Sequence, residues 1–379
     1  LDLEEGYWRA TDTSKNILEC HNKKACKGGA DPLHYCANGY MVPYCSVCQD
    51  GYAATLAFIC ARCSGSGQAA VLSVAMVFMV IAVGVVVYIV TFLVSTRPTE
   101  TSDNRLHARV LRALPLASVK IIVVVWQILS QFSSVANVTY PDSYERFLKA
   151  IHVVNLDLGW AMSTGCVWPD LDFHDRLLFN TMGPFVILAI LAVTYTVAQY
   201  RAQPVSDDAM LSRVRDVHMS ALLLWTFFVY SSVSSTVFRM FACEGLDDDY
   251  EYLRADYRIL CTGHKHRALQ AYAGIMIAVY PIGIPLFYTA LLYRLRRVLT
   301  KEVGDRSCFE SARARSIADL WTPYRPECFY YEVVECCRRI LLTGIVVFIY
   351  PGDAAQIAVT IVITFVFFVI FDARVPYKS

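Results

Sequence analysis

The feature that most constrains this chain is a series of long intervals that contain no Lys, Arg, Asp or Glu. A helix needs about 20 apolar residues to cross the hydrocarbon core of a bilayer. Six intervals approach or exceed that length: 63–96, 121–141, 177–200, 217–238, 268–293 and 354–371. Charged residues make up only 18% of the chain, against about a quarter in soluble domains. The pattern predicts an integral membrane protein.

One further span, the sixth in order along the chain, is predicted between the intervals 268–293 and 354–371. The uncharged segment between Arg339 and Asp353 is too short to cross a bilayer unless its helix begins near Phe329. A tight turn at Pro351 and Gly352 would then connect spans six and seven as a hairpin. The expected fold is an all-α bundle of seven transmembrane helices over residues 66–379.

The distribution of basic residues predicts the orientation of the bundle. If the N-terminus lies outside, 20 of the 34 lysines and arginines fall in the inner loops and the C-terminal tail. Cytoplasmic loops carry such an excess. We therefore predict an N-out, C-in protein of the plasma membrane or another secretory-pathway membrane, with the lipid bilayer as its first partner.

The cysteines are consistent with this topology. Ten of the 14 cysteines fall outside, and ten is an even number, as a fully bridged ectodomain requires. These candidate disulfide cysteines are Cys20, Cys26, Cys36, Cys45, Cys48, Cys60, Cys63, Cys166, Cys243 and Cys261. The inner cysteines, Cys308, Cys328, Cys336 and Cys337, are expected to be free thiols.

Seven of the ten cysteines lie in residues 1–65, which we interpret as a small extracellular disulfide-rich module. Seven is odd, so one of them must pair with a loop cysteine or with chain upstream of Leu1. Two Cys-x-x-Cys pairs, beginning at Cys45 and Cys60, also fit zinc. We favour disulfides because the predicted location is oxidising, and we expect no metal or cofactor. Cys243 and Cys261 flank one loop and are predicted to pair.

Several motifs resemble known membrane proteins. The run from Cys36 to Tyr52 resembles the EGF-like and ephrin-receptor-like modules found next to membranes. Further features resemble multi-span proteins of algae and other protists that are distantly similar to TRP or polycystin channels: Lys120 with Gln127 and Gln131, Tyr280-Pro-Ile-Gly-Ile-Pro285, Glu332-x-x-Glu335-x-x-Arg338-Arg339 and a final Pro376-Tyr377. The resemblance implies a channel-like function. The pore loop of such channels has no counterpart here, since only Pro351 to Ala354 separates the last two spans.

The sixth span carries the strongest candidate for a functional site. Glu332, Glu335, Arg338 and Arg339 would lie in its inner half, where unpaired charges are costly. Glu335 can pair with either arginine on the same helix. We expect the remaining Glu332 to reach a base on another helix, with Lys120 or Arg294 as the candidates. The alternative is that all four side chains lie in the headgroup layer.

Two other features are candidate sites. Pro281, Gly283 and Pro285 interrupt the fifth span, so the helix is expected to break there and form either a hinge or a static kink. In an outer loop, carboxylates that could attract cations cluster at Asp247, Asp248, Asp249 and Glu251. A solvated acidic loop is the alternative, because the spacing does not match a calcium loop.

Several functions are disfavoured. No phosphate-binding loop, His-Glu-x-x-His motif or serine elbow occurs, so we expect no enzyme activity. A net charge of +1 does not suggest nucleic acid. Two hypotheses remain: a channel-like or mechanically coupled protein, and a non-conducting seven-span receptor or anchor for a large extracellular assembly. Candidate partners are an upstream or separate extracellular protein and further copies of the chain.

Overall fold

The computed structural model describes residues 2–11, 13–31, 34–54, 58–63, 116–135, 147, 171–202, 208–246, 250–300, 313–349 and 354–378. The predicted first span at 63–96 lies outside the described residues apart from residue 63. The predicted disulfide cysteine Cys166, the thiol Cys308 and the acidic residues Asp247, Asp248 and Asp249 also lie outside them.

Helices dominate the second part of the chain. They are α1 (Leu116–Val135), α2 (Phe173–Ala202), α3 (Asp208–Arg239), α4 (His264–Ile277), α5 (Gly283–Leu299), the short α6 (Ala318–Trp321), α7 (Tyr331–Thr343) and α8 (Ala354–Arg374). A π-helical turn, Ala278–Ile282, joins α4 to α5. The helices pack around one large apolar core.

Within the described residues, four helices are long and apolar enough to cross a membrane. They cover Phe173–Arg201, Met210–Arg239, His264–Leu299 and Ala355–Arg374. The apolar intervals in the sequence predicted all four, so a helical fold with four candidate membrane spans is confirmed. Helix α3 is central, because 67% of its most apolar window is buried, against 6% in α8. The exposed faces of the other three membrane-length helices are apolar, as expected for surfaces that contact lipid.

Helix α2 begins with a reciprocal cap. The backbone N–H of Asp175 donates to Asp172 Oδ1 at 3.1 Å, and the N–H of Asp172 donates to Asp175 Oδ2 at 3.2 Å. This is the geometry of a capping box, which satisfies donors that the first helical turn leaves free. Asp256, on a strand next to the bundle, accepts a further bond from the N–H of Phe173. The start of α2 is thereby tied to that strand.

The predicted sixth span differs from the expectation. Its helix α7 runs only from Tyr331 to Thr343 and is followed by a 3-10 turn at Ile345–Phe348. The α-helix ends next to Gly344, where α3 approaches so closely that an added Cβ would lie 2.6 Å from the ring of Phe238. The helix therefore begins near Phe329 as predicted, but its regular α-helical part ends at Thr343 and a 3-10 turn continues the chain.

The N-terminal region is a set of short antiparallel strand pairs held by disulfides. The pairs are β1 (Tyr7–Trp8) with β2 (Leu18–Glu19), β3 (Tyr40–Met41) with β4 (Val47–Cys48), and β5 (Tyr52–Ala54) with β6 (Cys60–Arg62). The bonds are Cys20–Cys26, Cys36–Cys45 and Cys48–Cys60. Cys63 is also disulfide-bonded, but to none of the other described cysteines. Disulfides rather than zinc thus hold these cysteines.

A three-stranded sheet connects α3 to α4. It consists of β7 (Cys243–Gly245), β8 (Glu251–Leu253) and β9 (Asp256–Leu260), in that order. The predicted bond between Cys243 and Cys261 is present and closes the sheet at its base. Only short segments separate the sheet from the helices, so the sheet is attached directly to two membrane-length helices.

The chain beyond α8 returns to the start of α7. Tyr377 forms an antiparallel bridge with Tyr324, and the N–H of Arg325 donates to Pro376 O at 2.8 Å. Tyr324, Tyr331 and Tyr377 pack ring against ring. This contact positions the C-terminal Pro376-Tyr377 pair against α7 and the charged residues on it.

Candidate functional site

The charged residues of α7 form two ion pairs with different surroundings. Arg338 donates to Glu335 Oε2 from Nε at 2.9 Å and from Nη2 at 2.6 Å, and both side chains are partly exposed. Arg339 and Glu332 are both almost fully buried, and their closest charged atoms are 3.9 Å apart. The four residues therefore contribute one close, partly exposed pair and one loose, buried pair.

Arg339 lies against the central helix α3. Its guanidinium carbon is 3.9 Å from the centre of the Phe227 ring, a cation–π distance, and Nη1 donates to Phe227 O at 3.3 Å. Nε has no hydrogen-bond partner among the described residues. The side chain is only 2% exposed. This cation is thus buried against an aromatic ring with much of its donor capacity unused.

The sequence predicts that Glu332 pairs with Lys120 or Arg294, but in the structure it pairs with neither. Its Oε2 accepts a hydrogen bond of 2.8 Å from the hydroxyl of Tyr324. Tyr324 in turn forms a backbone bridge with the C-terminal Tyr377. A hydroxyl donor within the same local cluster therefore takes the place of the more distant base.

Lys120, at the start of α1, bonds to the segment before α7. Its Nζ donates to Asp319 O at 3.0 Å and lies 5.1 Å from the centre of the Phe227 ring. The carboxylate of Asp319 accepts a hydrogen bond from Ser220 of α3. Lys120 and Arg339 thus both lie near the ring of Phe227. The five predicted network residues line one cavity at this end of the bundle and are called the charged cluster below: Lys120, Glu332, Glu335, Arg338 and Arg339.

A polar seam continues from this cluster into the bundle. Its members, from α1, α2 and α3, are all buried: Gln127, Ser130, Gln131, Asn180, Ser231, Ser232, Ser234, Ser235 and Thr236. Gln127 donates to Phe228 O at 3.1 Å, and Asn180 donates to Thr236 at 3.2 Å. The hydroxyls of Ser231, Ser234 and Ser235 have no hydrogen-bond partner among the described residues. Small polar residues allow close helix packing and can also contact water inside a bundle.

The predicted hinge is a widened turn of a continuous helix, not a break. Pro281 lies within the π-helical turn between α4 and α5, and His264–Leu299 remains one 36-residue helix. A π turn absorbs one extra residue, and such turns often occur at functional positions. Gly283 is required there, because a Cβ would lie 2.9 Å from the carbonyl oxygen of Ala278. Pro285 follows on the first turn of α5.

The π turn is fastened to α2 rather than free. The hydroxyl of Tyr280 donates to Thr181 O at 2.7 Å, and both groups are buried. The hydroxyl of Thr181 in turn lies 2.6 Å from that of Tyr272 on α4. The turn therefore connects α2 to the middle of the fifth predicted span.

An aromatic junction joins the N-terminal module to the sheet. Tyr257 of β9 is 2% exposed and packs against His21, Tyr44 and Phe58 of the module. Tyr257 and Leu246 belong to the same apolar core as Trp8 and the disulfides of the module. The module and the sheet are thus one packed unit.

Hydrogen bonds orient this junction. The hydroxyl of Tyr257 donates to Glu244 Oε2 at 2.9 Å and lies 2.9 Å from His21 Nε2. Because the phenol proton is committed to Glu244, His21 serves as the donor to the phenol oxygen. Arg254 lies 3.3 Å from the same carboxylate oxygen. Burial, and then the charge of Glu244, raise the pKa of Tyr257 well above its usual value.

A histidine pair lies beside the base of the sheet. His174 Nε2 is 3.2 Å from His266 Nδ1, and both rings are buried. His266 and the sulfurs of Cys243 and Cys261 lie close enough to ligate one metal ion. The two sulfurs are bonded to each other here, which removes the thiolates that a metal requires. The arrangement is a disulfide packed on a buried imidazole.

The acidic loop contributes one residue to the described structure. Glu251 lies on β8 and is exposed, and it pairs in register with Gly245. The three aspartates before it are outside the described residues, so the cation site stays a prediction.

Sequence reasoning missed the partners of the predicted residues. Phe227, Tyr324 and Asp319 contact the charged cluster, and His21 with Tyr257 forms the junction. Nothing local distinguishes Phe227 from the other 19 phenylalanines. Tyr377 did stand out in the terminal Pro-Tyr motif, which was the one available signal.

Comparison with known proteins does not supply a family. The chain matches no protein-family model, no curated protein and no solved structure. Its function must therefore be argued from the disulfide-bonded module, the junction and the charged cluster themselves.

Proposed function

We propose that this chain is a seven-span, N-out membrane protein in which the disulfide-rich module acts mechanically on a channel-like helical bundle. The supporting observation is the aromatic junction, where Tyr257 is buried in the core of the module. A packed apolar interface transmits displacement, whereas a flexible linker absorbs it. Force or a ligand acting on the module would move the sheet with it.

The route into the membrane is short. Helix α3 ends at Arg239 and β7 begins at Cys243, while β9 ends at Leu260 and α4 begins at His264. The Cys243–Cys261 disulfide joins these two connections, one between α3 and β7 and the other between β9 and α4. A displaced sheet would therefore move α3 and α4 as a pair.

Both helices contain features that suit a response. The pair α4–α5 has the π turn that contains Pro281, and α3 carries the buried hydroxyls of the polar seam. Rotation of α3 would rearrange unpaired polar groups inside the bundle, and hydration of that seam would provide a path for ions. Neighbouring copies of the chain, or an extracellular protein pulling on the module, would complete the assembly.

The test is electrical recording from purified full-length protein in planar bilayers under applied tension. We expect Tyr257→Ala to uncouple the module and to reduce tension-activated current at least tenfold. Tyr250→Ala is the matched control, because it removes an exposed tyrosine directly before β8 of the same sheet. Equal currents from the two variants would contradict the coupling role of the junction.

A second candidate is a non-conducting receptor or anchor. The observation that favours it is the spacing of the last two predicted spans, which leaves only Pro351 to Ala354 between them and no room for a pore loop. If wild-type protein carries no current while an applied pull on the module still changes the exposure of Cys337 to thiol reagents, the receptor function is the correct one.

A further inference from the structure

The charged cluster surrounds a cavity at one end of the bundle. It lies where α1 and α7 begin and where α8 ends, and its volume is about 60 Å³. A buried water needs about 10–15 Å³ on this measure. The cavity can therefore hold several waters or one compact oxyanion. Lys120, Phe227 and Tyr377 line it together with the charged side chains of α7.

Among the residues that the structure describes, the lining of the cavity has an excess of positive charge. Three cations, Lys120, Arg338 and Arg339, face it together with two carboxylates, Glu332 and Glu335. Both carboxylates are satisfied by protein donors, Glu335 by Arg338 and Glu332 by a tyrosine hydroxyl. Lys120 has no carboxylate within 4 Å among the described residues. A bound anion would neutralise the positive charge that these carboxylates leave uncompensated.

Arg339 is the cation that would gain most from a bound anion. Its side chain is 2% exposed, yet within the described part of the chain only Nη1 makes a hydrogen bond, and the nearest carboxylate oxygen of Glu332 is 3.9 Å away. Burying a cation with unused donors is costly unless acceptors reach it. Lys120 lies near the same Phe227 ring and lines the same cavity, so both cations are placed around the space that an oxyanion would occupy.

The surroundings of the cavity point to a lipid as the source of the anion. Ile121 and Val125 line the cavity, and they are 45% and 44% exposed on the outward face of α1. That face continues with Ile122 and Trp126, which are also exposed. In a bilayer, this apolar face would contact acyl chains directly beside the charged cavity.

We propose that this cavity binds the phosphate group of an anionic phospholipid. Lys120 and Arg339 donate to the phosphate oxygens, and the acyl chains lie along Ile121 and Val125 of α1. The site is independent of the mechanical coupling proposed above, since it lies in the bundle away from the aromatic junction. Binding would link α1, α3 and α7 at one membrane surface.

The experiment uses the full chain in a neutral detergent and follows thermal unfolding during titration. The probes are dioctanoyl phosphatidic acid, dioctanoyl phosphatidylcholine and inorganic phosphate. We expect only phosphatidic acid to raise the melting temperature at micromolar concentrations. Lys120→Gln should increase the half-saturating concentration at least tenfold, because a charge-assisted hydrogen bond is lost. Lys120→Arg keeps the charge and should keep binding.

Arg374→Gln is the matched control, since this cation is exposed at the same end of the bundle and does not line the cavity. An equal response to phosphatidylcholine, or unchanged binding in Lys120→Gln, would overturn the site. A full response to inorganic phosphate would overturn the lipid assignment. If Lys120→Gln does not fold, loss of the response in Lys120→Arg would count against the proposal.

Discussion

Replacing Arg339 with glutamine tests whether the charged cluster of α7 is a buried network. The substitution removes the cation from the Phe227 ring and leaves the carboxylate of Glu332, which is 3% exposed, without its positive neighbour. Breaking a buried ion pair from one side costs about 3–5 kcal/mol. We expect Arg339→Gln to lower the free energy of unfolding by about that amount.

The matched control is Arg338→Gln. Arg338 is 26% exposed and its partner Glu335 is 14% exposed, so water can replace much of the lost pair. Its expected cost is at most about 1 kcal/mol. Both variants remove one positive charge from α7. A difference between their losses in free energy of unfolding therefore reports the effect of burial and not the change in net charge.

The assay is chemical denaturation of the purified protein in lipid-free neutral detergent, followed by fluorescence of its six tryptophans. In the double variant Glu332→Gln/Arg339→Gln, no charge is stranded, so its loss should be smaller than the sum of the two single losses by about 0.5–3 kcal/mol. Small, additive losses for Arg339→Gln and Glu332→Gln would refute the buried-network reasoning.

Three further outcomes are expected. Gly283→Ala should destabilise by about 1–3 kcal/mol, because its Cβ would lie 2.9 Å from a backbone carbonyl, whereas Gly274→Ala, with open space around it, should be neutral or stabilising by thermal unfolding. Replacing Cys243 and Cys261 by serine should cost about 3 kcal/mol for the loop they close, and unchanged stability under reducing and oxidising conditions would contradict this. Burial, the largest single effect, would raise the pKa of Asp172, but hydrogen bonds from Lys265 and the backbone N–H of Asp175, with the charges of His174 and Lys265, together lower it below its usual value. The stabilisation from this carboxylate is therefore present above about pH 4 and fades at lower pH, so Asp172→Asn should flatten the dependence of melting temperature on pH in that range.

The membrane-length helices could be predicted because each depends on a local property of the chain. The uncharged intervals 177–200, 217–238, 268–293 and 354–371 all lie within helices, since a long segment without charges can cross the hydrocarbon core and a helix satisfies its backbone groups there. The disulfide between Cys243 and Cys261 was predictable for a similar reason, because the two cysteines flank a single short loop.

Features that depend on packing were decided by the tertiary structure. Two prolines cannot show by themselves whether a helix breaks or takes a π turn. Here the helix is continuous, and Tyr280 within the turn bonds to α2. The end of α7 likewise depends on how closely α3 approaches Gly344. Both outcomes depend on a neighbouring helix that local sequence does not describe.

The sequence alone determined that the charges on α7 need partners, since ionised groups are costly in a bilayer. It did not determine the partners. Arg339 lies on Phe227, 112 residues away in the chain, and His21 contacts Tyr257 across 236 residues. Contacts of that range arise from how helices and sheet pack, and an aromatic ring or a tyrosine hydroxyl that happens to lie nearby can satisfy a charge as well as the oppositely charged residue that a sequence pattern suggests.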